Sequence, residues 1–549
     1  MKIALAQINL HVGNFTHNIE RTTQAIHEAR KQEADLIVFP EMTVCGYPAK
    51  DLLLSDSFII QCRKAIDTIA SECKGIAAIV GAPAVNTDSG GKPLYNAAYL
   101  LEEGQVRHVY HKGLLPDYDV FDEYRYFEPA NEFHTIDYKG HRLALTVCED
   151  LWNIDGMGMY AMNPPEVLAK ENPEVVINIS ASPFAWAHQP ERMRILSENA
   201  RIFGCPLFSS NLVGGQADLL FDGSSAVVNQ NGQLVDILPP FREALRVYDL
   251  DEVRQNPGFP IPAPPVEEEK WQLIFDALVT GVRDYFNKTG LKKALIGLSG
   301  GIDSAVTLAI AVDALGKENV WAVLLPGPHS SKHSVDDAIA LARNLDVRHD
   351  IIHIDDTVNS FEQALSHHFE GTDRGVAEEN IQARARAVIL MGLSNKFGYL
   401  LLNTSNKSEA AVGYGTLYGD MCGGLSVLGD VYKTDVYGLA RLINSQQTYI
   451  PQNTMEKPPS AELKPDQKDS DSLPDYDWLD EVLYQFIELH MDPQAIIKGG
   501  KDETLVNKVI RMVRVNEHKR IQSPPILRVS AKCLGIGRDM PLEASYKDF

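Results

Sequence analysis

A cysteine followed directly by two acids, Cys148, Glu149 and Asp150, ends the apolar run LALTVC. A thiol attacks a carbonyl carbon only as the thiolate, and a nearby carboxylate disfavours that form. At ~6 Å and an effective dielectric constant of ~20, the repulsion is roughly 2–3 kcal/mol, which raises a thiol pKa by about two units. Cys148 is therefore either a buried structural thiol, the more frequent role of cysteine, or a nucleophile assisted by a base and a cation from elsewhere in the chain.

A base and a cation occur in two other segments that end or follow strand-like runs. Glu41 lies in LIVFPEMTVCGYPAKDLL, and Lys112 lies in YHKGLLPDYDVFDEYRYF. In the order Glu, Lys, Cys, the three segments resemble the nitrilase family, in particular the glutamine-hydrolysing domain that is fused to NAD synthetases. The resemblance covers about residues 1–250. It implies that Glu41 takes the thiol proton, that Lys112 stabilises the oxyanion, and that Cys148 attacks the amide of glutamine.

The same resemblance implies a set of glutamine-binding residues, which are Tyr118, Glu149, Ser182 and the residue at position 188. The family pattern has Lys or Arg at position 188, whereas SPFAWAHQPERMR places His188 there. Either neutral His188 donates a weaker hydrogen bond to the glutamine carboxylate, or Arg192 or Arg194 makes this contact. Cys45 and Cys205 are interpreted as packing residues.

A glycine turn lies between a strand-like and a helix-like run in ALIGLSGGIDSAVTLAIAVDAL. Backbone N–H groups in such a turn, together with the N-terminus of the next helix, can face an anion. The segment lacks the GxxxxGK[S/T] pattern of a Walker loop. SGGxDS instead resembles the loop of the N-type ATP pyrophosphatases, which release AMP and pyrophosphate. The ATP-binding residues that this resemblance implies here are Ser299, Gly300, Gly301, Asp303 and Ser304.

Three later segments narrow the resemblance to the NAD synthetases, over nearly all of residues 270–549. EENIQARARAVILMGLSN places Asn380 and Arg384 on one helical face, because they are four residues apart. LLNTSNKSEAAVGY and DVYKTDVY follow, and NEHKRIQSPPILRVSAKCLGIGRDMPL closes the chain. Without these neighbouring motifs, Asn380 and Arg384 would be read as part of a solvated helix face.

The NAD synthetase resemblance also implies a role for each matching residue. Magnesium would be held by Asp303 and Glu409, and the ATP phosphates would be contacted by Thr404 and Lys433. The residues implied to contact deamido-NAD are Asn380, Glu409, Asp420 and Lys519.

The elements that must position these residues divide the α/β chain in two. Residues 1–250 combine parallel units with hairpins such as LLEEGQVRHV and AVVNQNGQLVDIL, and the resemblance implies a nitrilase-like α-β-β-α sandwich. The segment 251–268 is rich in proline and is predicted to be a linker. Strands and helices then alternate regularly over 269–549, which predicts a doubly wound, Rossmann-like parallel sheet as the synthetase domain.

Composition limits the classes of partner. The 549 residues carry a net charge of −23, which disfavours nucleic acid, and no apolar stretch is long enough to predict a membrane span. Seven cysteines without CxxC spacing argue against a disulfide framework or a zinc ribbon, so we predict a reduced, cytoplasmic protein.

Together, the resemblances imply that deamido-NAD, ATP, glutamine and water give NAD, AMP, pyrophosphate and glutamate, with Mg²⁺ as cofactor. They further imply a homo-oligomer with paired synthetase domains and an internal channel for ammonia. Two alternatives remain at this stage. One is a ligase that modifies nucleic acid, which the acidic charge opposes, and the other is a non-catalytic nucleotide-binding scaffold, which the intact acid, lysine and cysteine motifs oppose.

Overall fold

The computed structural model describes residues 1–88, 90–154, 159–445, 447–465 and 467–546. The chain forms two compact units, residues 1–264 (unit 1) and residues 265–549 (unit 2). Along the described ranges, no helix combines the length and the apolarity that crossing a membrane requires.

Unit 1 contains fourteen described strands and five described helices. The strands are β1 (Lys2–Gln7), β2 (Leu36–Val38), β3 (Ala77–Val85), β4 (Leu94–Glu102), β5 (Gln105–His111), β6 (Ile136–Tyr138), β7 (His141–Val147), β8 (Val175–Ser180), β9 (Leu207–Asn211), β10 (Val213–Gln216), β11 (Leu219–Asp222), β12 (Ala226–Val228), β13 (Leu234–Ile237) and β14 (Ala244–Asp249). The helices are α1 (Phe15–Lys31), α2 (Asp56–Glu72), α3 (Pro164–Ala169), α4 (His188–Phe203) and α5 (Leu250–Gln255), and 3₁₀ turns occupy Lys50–Leu54, Glu123–Arg125 and Cys148–Leu151.

Two six-stranded mixed sheets form the centre of unit 1, in the orders β14-β1-β2-β3-β4-β5 and β13-β12-β9-β8-β7-β6. Strands β1, β2 and β3 are parallel to one another, as are β7, β8 and β9, and the outer pairs are antiparallel. Their side chains share one core, in which Leu5 and Leu36 of the first sheet join Leu145 and Ile177 of the second. The predicted hairpins β4–β5 and β12–β13 and the predicted α/β sandwich are confirmed.

Helix α5 begins at the last residue before the predicted linker, 251–268, and covers its first five residues. Asp249 caps it, because its side chain accepts hydrogen bonds from the backbone N–H groups of Asp251 and Glu252. Leu250 and Val253 are buried in the core of unit 1. The residues that follow, up to Pro265, contain no further helix or strand.

Unit 2 contains five described strands and twelve described helices. The strands are β15 (Ala294–Gly297), β16 (Val320–Leu324), β17 (Arg348–Ile351), β18 (Leu400–Asn403) and β19 (Leu425–Ser426). The helices are α6 (Glu267–Thr289), α7 (Ile302–Leu315), α8 (Lys332–Asn344), α9 (Asp355–Leu365), α10 (Val376–Phe397), α11 (Lys407–Val412), α12 (Lys433–Asn444), α13 (Gln452–Glu456), α14 (Tyr476–Ile487), α15 (Pro493–Lys498), α16 (Glu503–Val515) and α17 (Glu517–Arg520), with 3₁₀ turns at Lys317–Asn319 and Asp469–Asp471.

The five described strands of unit 2 are parallel, in the order β17-β16-β15-β18-β19. The strand order reverses between β15 and β18, so a crevice opens beyond their carboxyl ends, where open α/β sheets bind ligands. The predicted doubly wound sheet is confirmed. Both candidate motifs follow these two strands, since the SGGIDS loop joins β15 to α7 and the TSNKSE segment joins β18 to α11.

Candidate active sites

Glu41 and Lys112 meet in the interior of unit 1. Glu41 follows β2 and Lys112 follows β5, and the Lys112 Nζ donates to Glu41 Oε1 at 2.9 Å. Glu41 Oε2 accepts a hydrogen bond from the backbone N–H of Ala181 at 3.0 Å, which fixes the carboxylate from the opposite sheet. Both side chains are fully buried, so their charges interact with little screening by water.

Cys148 opens the 3₁₀ turn after β7 with a positive φ of 44°, a conformation that few non-glycine residues adopt. Burial raises the pKa of the Cys148 thiol well above its ordinary value, the Glu41 charge raises it further, and the Lys112 charge lowers it. The resting group is therefore a thiol, and it needs a base at the moment of attack. Cys45 and Cys205 are also buried, as expected for packing residues.

Glu123 is a second carboxylate on Lys112, and sequence reasoning missed it. Its two oxygens accept from Lys112 Nζ at 2.9 and 2.8 Å, and one also accepts from the Tyr47 hydroxyl at 3.0 Å. Asn96 Nδ2 bridges the two acids, at 2.6 Å from Glu41 Oε1 and 3.2 Å from Glu123 Oε2. Burial raises the pKa of Glu123 to about 7, whereas burial lowers the pKa of Lys112 but the charges of Glu123 and Glu41 outweigh this and raise it.

Asp150, the second of the two acids after Cys148, accepts four hydrogen bonds from within the protein. Its Oδ1 accepts from the backbone N–H groups of Gly113 and Leu114, both at 2.9 Å. Its Oδ2 accepts from the backbone N–H of Val147 at 2.9 Å and from the Tyr110 hydroxyl at 3.0 Å. The buried carboxylate therefore ties the segment after Lys112 to the turn that holds Cys148.

Glu149, the first of these two acids, accepts hydrogen bonds from two tyrosines. The Tyr118 and Tyr160 hydroxyls each donate to Glu149 Oε1 at 2.9 Å. Burial raises the pKa of Glu149, although Lys112 and both hydroxyls act to lower it. Tyr118 was expected near the substrate, but Tyr160 carries no sequence signal.

The remaining glutamine-site candidates surround the start of α4. The backbone N–H of Ser182 donates to Asn211 Oδ1 at 2.9 Å, and His188 is the first residue of α4. Arg192 is buried and makes two hydrogen bonds with Asp222, at 3.0 and 2.6 Å. Arg194 bonds to two acids of its own helix, Glu191 and Glu198.

In unit 2, the SGGIDS loop between β15 and α7 is held in shape by its own serines. Ser304 Oγ donates to the Gly301 carbonyl at 3.0 Å, and the Gly301 N–H donates to Ser299 Oγ at 3.2 Å. Gly300 has a φ of +83°, and a Cβ there would lie 2.1 Å from the carbonyl oxygen of Ser334. Only glycine fits this position, which keeps the loop close to the N-terminus of α8.

Asp303, Glu409 and Lys433 converge at the carboxyl edge of the sheet. Lys433 Nζ lies 2.6 Å from Asp303 Oδ2 and 3.1 Å from Glu409 Oε1. Asn406 Nδ2 donates to Asp303 Oδ1 at 2.9 Å. Burial raises the pKa of Glu409 to about 7, and burial lowers the pKa of Lys433 but Asp303 and Glu409 together raise it well above its ordinary value.

Two carboxylates directed at one cation are a donor set that suits Mg²⁺, which commonly uses one or two carboxylates together with substrate phosphates. Within the residues that the structure describes, no group of three or more His, Cys, Asp or Glu side chains forms a metal cage. The carboxylates of Asp303 and Glu409 supply the one or two carboxylate ligands of such a donor set.

The other synthetase candidates surround the loop between α11 and β19. The Thr416 hydroxyl donates to Asn380 Oδ1 at 2.7 Å, and the Thr416 N–H donates to Asp420 Oδ1 at 2.6 Å. Lys519 Nζ donates to the carbonyls of Gly413 and Gly415, both at 2.8 Å. Burial raises the pKa of Asp420 to about 6. Asn380 and Lys519 thus contact the loop that contains Asp420, which groups three of the four residues predicted to contact deamido-NAD.

Three further residues belong to this region. Thr404 is half-buried directly after β18, and Arg384 donates from Nε to the Leu417 carbonyl on the same loop that Asn380 contacts. Asp469, which sequence reasoning missed, accepts from the Tyr476 hydroxyl at 2.9 Å, and its charge acts on Glu409 and Lys433.

The two units match two different family models. The carbon–nitrogen hydrolase family matches residues 2–256, and the NAD synthase family matches residues 274–523. The chain is therefore an enzyme of the class that joins an amide-hydrolysing unit to a nucleotide-dependent synthase unit.

Relatives that contain both units define the family more closely. The glutamine-dependent NAD(+) synthetases of Synechocystis sp. and Acinetobacter baylyi are 45% and 44% identical to this chain, over 99% and 100% of it and 99% of each relative. A solved structure of the Acinetobacter baumannii enzyme with ADP matches with a TM-score of 0.77 at 41% identity, over 98% of both chains. One from Cytophaga hutchinsonii, at 20% identity and a TM-score of 0.84, shares the fold over 99% of this chain and 98% of that one. The chain belongs to the glutamine-dependent NAD⁺ synthetase family, which confirms the predicted family and enzyme class.

Proposed function

We propose that the protein amidates deamido-NAD to NAD, consuming ATP and L-glutamine and releasing AMP, pyrophosphate and glutamate. The observation that supports this most directly is the presence of two complete charged sites in one chain of this family. Glu41, Lys112 and Cys148 suit amide hydrolysis, whereas Asp303, Glu409 and Lys433 suit phosphate chemistry.

In unit 1, Glu41 takes the proton from the Cys148 thiol as the sulfur attacks the amide carbon of glutamine. Lys112 stabilises the resulting oxyanion, and its raised pKa keeps it protonated throughout. Collapse of the tetrahedral intermediate forms a thioester, and ammonia leaves with the proton that Glu41 held. Water then attacks the thioester with Glu41 as base, which releases glutamate and restores the thiol.

We assign the recognition of glutamine to Tyr118, Glu149, Ser182 and His188. Arg192 and Arg194 bind carboxylates of the protein, so either one would have to exchange that partner for the substrate. We assign the glutamine carboxylate to His188 because it stands at the position where the family pattern has Lys or Arg. A neutral imidazole donates a weaker hydrogen bond than an ammonium group, and we therefore expect modest affinity for glutamine.

In unit 2, the nicotinate carboxylate of deamido-NAD attacks the α-phosphorus of ATP, and pyrophosphate leaves. Ammonia then attacks the acyl adenylate and AMP departs. Ser299, Gly300, Gly301, Asp303, Ser304, Thr404 and Lys433 bind ATP in this assignment, and Asn380, Glu409, Asp420 and Lys519 bind deamido-NAD. Asp303 and Glu409 would hold Mg²⁺, which would supply positive charge to offset the negative charge of the departing pyrophosphate.

The direct test supplies nuclease-treated protein with deamido-NAD, ATP, Mg²⁺ and glutamine, and measures pyrophosphate and NAD. We expect one pyrophosphate for each NAD, and no pyrophosphate when deamido-NAD is omitted. Pyrophosphate release that requires added RNA would favour a ligase acting on nucleic acid instead. The homo-oligomer, the internal ammonia channel and the cytoplasmic location stay predictions, and sedimentation analysis tests the first of them.

A further inference from the structure

Glu409 and Lys433, which converge with Asp303 in unit 2, each lie at the start of a helix. Glu409 lies in the first turn of α11, and Lys433 is the first residue of α12. The position of each side chain therefore depends on how the first turns of these two helices are held relative to each other. Lys433 Nζ and Glu409 Oε1 are 3.1 Å apart, so a small shift of either helix would separate them.

Asp480 of α14 joins the two helix starts. Its Oδ1 accepts a hydrogen bond from the hydroxyl of Ser408, the residue before Glu409. Its Oδ2 accepts from the backbone N–H and from the hydroxyl of Thr434, the residue after Lys433, both at 2.9 Å. Asp480 is 6% exposed, so water competes little for these bonds.

Ser408 also links the start of α11 directly to the start of α12. Its Oγ accepts from the backbone N–H of Lys433 at 2.9 Å while its own proton is donated to Asp480. The chain of hydrogen bonds thus runs from Lys433 through Ser408 to Asp480 and back to Thr434. Because a carboxylate only accepts, it suits three converging donors, and an amide in its place would direct an N–H group at one of them.

We propose that Asp480 is a positioning residue for the ATP-dependent step, which sets the first turns of α11 and α12 so that Glu409 and Lys433 face the same substrate. The inference rests on the proposed function of unit 2. Asp480 acts through Ser408 and Thr434, and it touches neither of the two charged side chains that it places.

The alternative is that Asp480 only supports the helical core formed by α11, α14 and α16, which includes Leu479, Val482 and Leu483 beside it. Loss of a purely structural residue lowers the number of folded sites but leaves each folded site intact. Loss of a positioning residue leaves the number of sites unchanged and weakens each one. Binding stoichiometry and affinity, measured together, separate these two cases.

The test compares Asp480→Asn with the wild-type enzyme by titration calorimetry, using Mg²⁺ and the non-hydrolysable analogue α,β-methylene-ATP. We expect about one site per chain in both, with a Kd for the analogue about tenfold higher in the variant. We also expect ammonium-driven NAD formation to fall about tenfold or more. Glutamine hydrolysis in the absence of deamido-NAD should keep its KM.

Asp435→Asn is the matched control, because this acid also lies in the first turn of α12 but accepts from Lys270 and Trp271 of α6. Its Kd should stay within about twofold of wild type. Ser408→Ala and Thr434→Val give the same test if Asp480→Asn does not fold, and each should raise the Kd with the site number unchanged.

Fewer sites with an unchanged Kd, or no change in either quantity, would overturn the proposal. An equal loss of affinity in Asp435→Asn would overturn it as well. Wild-type enzyme that forms no NAD would instead refute the proposed function, so the two failures are distinguishable.

Discussion

The two sites use the same charge pattern at very different depths. In unit 1, Lys112 lies between Glu41 and Glu123, and in unit 2, Lys433 lies between Asp303 and Glu409. The side chains of the first set are at most 5% exposed, whereas Asp303 and Glu409 are each 18% exposed beside a Lys433 that is 2% exposed. One lysine between two carboxylates is therefore closed to solvent in one unit and open on its acidic side in the other.

This difference fits the two chemistries. A closed set keeps its lysine as a permanent cation for a small neutral substrate, and low screening strengthens its effect on an oxyanion. An open set leaves two carboxylates reachable by a metal ion and by charged nucleotides. We therefore expect the charged set of unit 1 to act on its substrate mainly through the cation of Lys112. In unit 2, we expect the carboxylates of Asp303 and Glu409 to act as well as Lys433.

Replacing Cys148 by Ala should have the largest effect and should separate the two sites. Glutamine-driven NAD formation should fall by several orders of magnitude, about 10³-fold or more, because the covalent nucleophile is lost. With concentrated ammonium at pH ~8.5, where more free ammonia is present, NAD, AMP and pyrophosphate should still form. Measuring NAD with each nitrogen source checks both statements.

Glu41→Gln and Lys112→Ala should behave like Cys148→Ala, and adding either change to it should cause little further loss. A Cys148→Ala enzyme that consumes glutamine at an appreciable fraction of the wild-type rate would contradict the assignment of Cys148 as the nucleophile. Loss of the ammonium-driven reaction in a folded variant would show that the sites cannot be separated in this way.

Asp303→Ala and Glu409→Ala should produce the opposite pattern. NAD formation should fall at least about 100-fold with either nitrogen source, because both carboxylates are assigned to the metal. Basal glutamine hydrolysis should remain, and chelation of divalent cations by EDTA should reproduce this pattern in the wild-type enzyme. Near-normal NAD formation by either variant at limiting Mg²⁺ would contradict the metal assignment.

The sequence predicted well the residues whose positions depend on local structure. The SGGIDS loop lies between strand and helix as expected, since glycine placement and apolar runs are local signals. Asn380 and Arg384 contact one loop because helical spacing alone puts them on the same face. The order of Glu41, Lys112 and Cys148 after three strands likewise follows from motifs that each span a few residues.

The residues that were missed depend on contacts distant in sequence. Glu123 lies near three other acids, Asp117, Asp119 and Asp122, and only the path of the loop decides which carboxylate reaches Lys112. Asp480 is separated from Ser408 by 72 residues, and no spacing rule links them. Buried acids such as these are recognisable only once the fold shows which donors surround them.

Substitutions of His188 test how unit 1 recognises the carboxylate of glutamine. His188→Ala should raise the KM for glutamine about tenfold, equivalent to about 1.4 kcal/mol, and His188→Lys should lower it or leave it unchanged. Ammonium-driven synthesis should be unaffected in both, because unit 2 does not use this residue. Steady-state kinetics with each nitrogen source gives the answer. If Arg192→Ala raises the KM while His188→Ala does nothing, the contact belongs to Arg192.

The burial of Glu123 in unit 1 should also have a small effect on how the melting temperature depends on pH. Burial raises the pKa of Glu123 to about 7, whereas glutamate in an unfolded chain titrates near about 4.3. Between these values the folded protein holds a proton that the unfolded chain lacks, so this contribution to stability is lost as the pH rises towards 7. Glu123→Gln has no such proton. From pH ~5.5 to ~8, the melting temperature of the wild type should therefore fall relative to that of Glu123→Gln, by about a few degrees. The exposed Glu20→Gln should follow the wild-type curve, and parallel curves for wild type and Glu123→Gln would show that Glu123 titrates in the folded protein as it does in the unfolded chain.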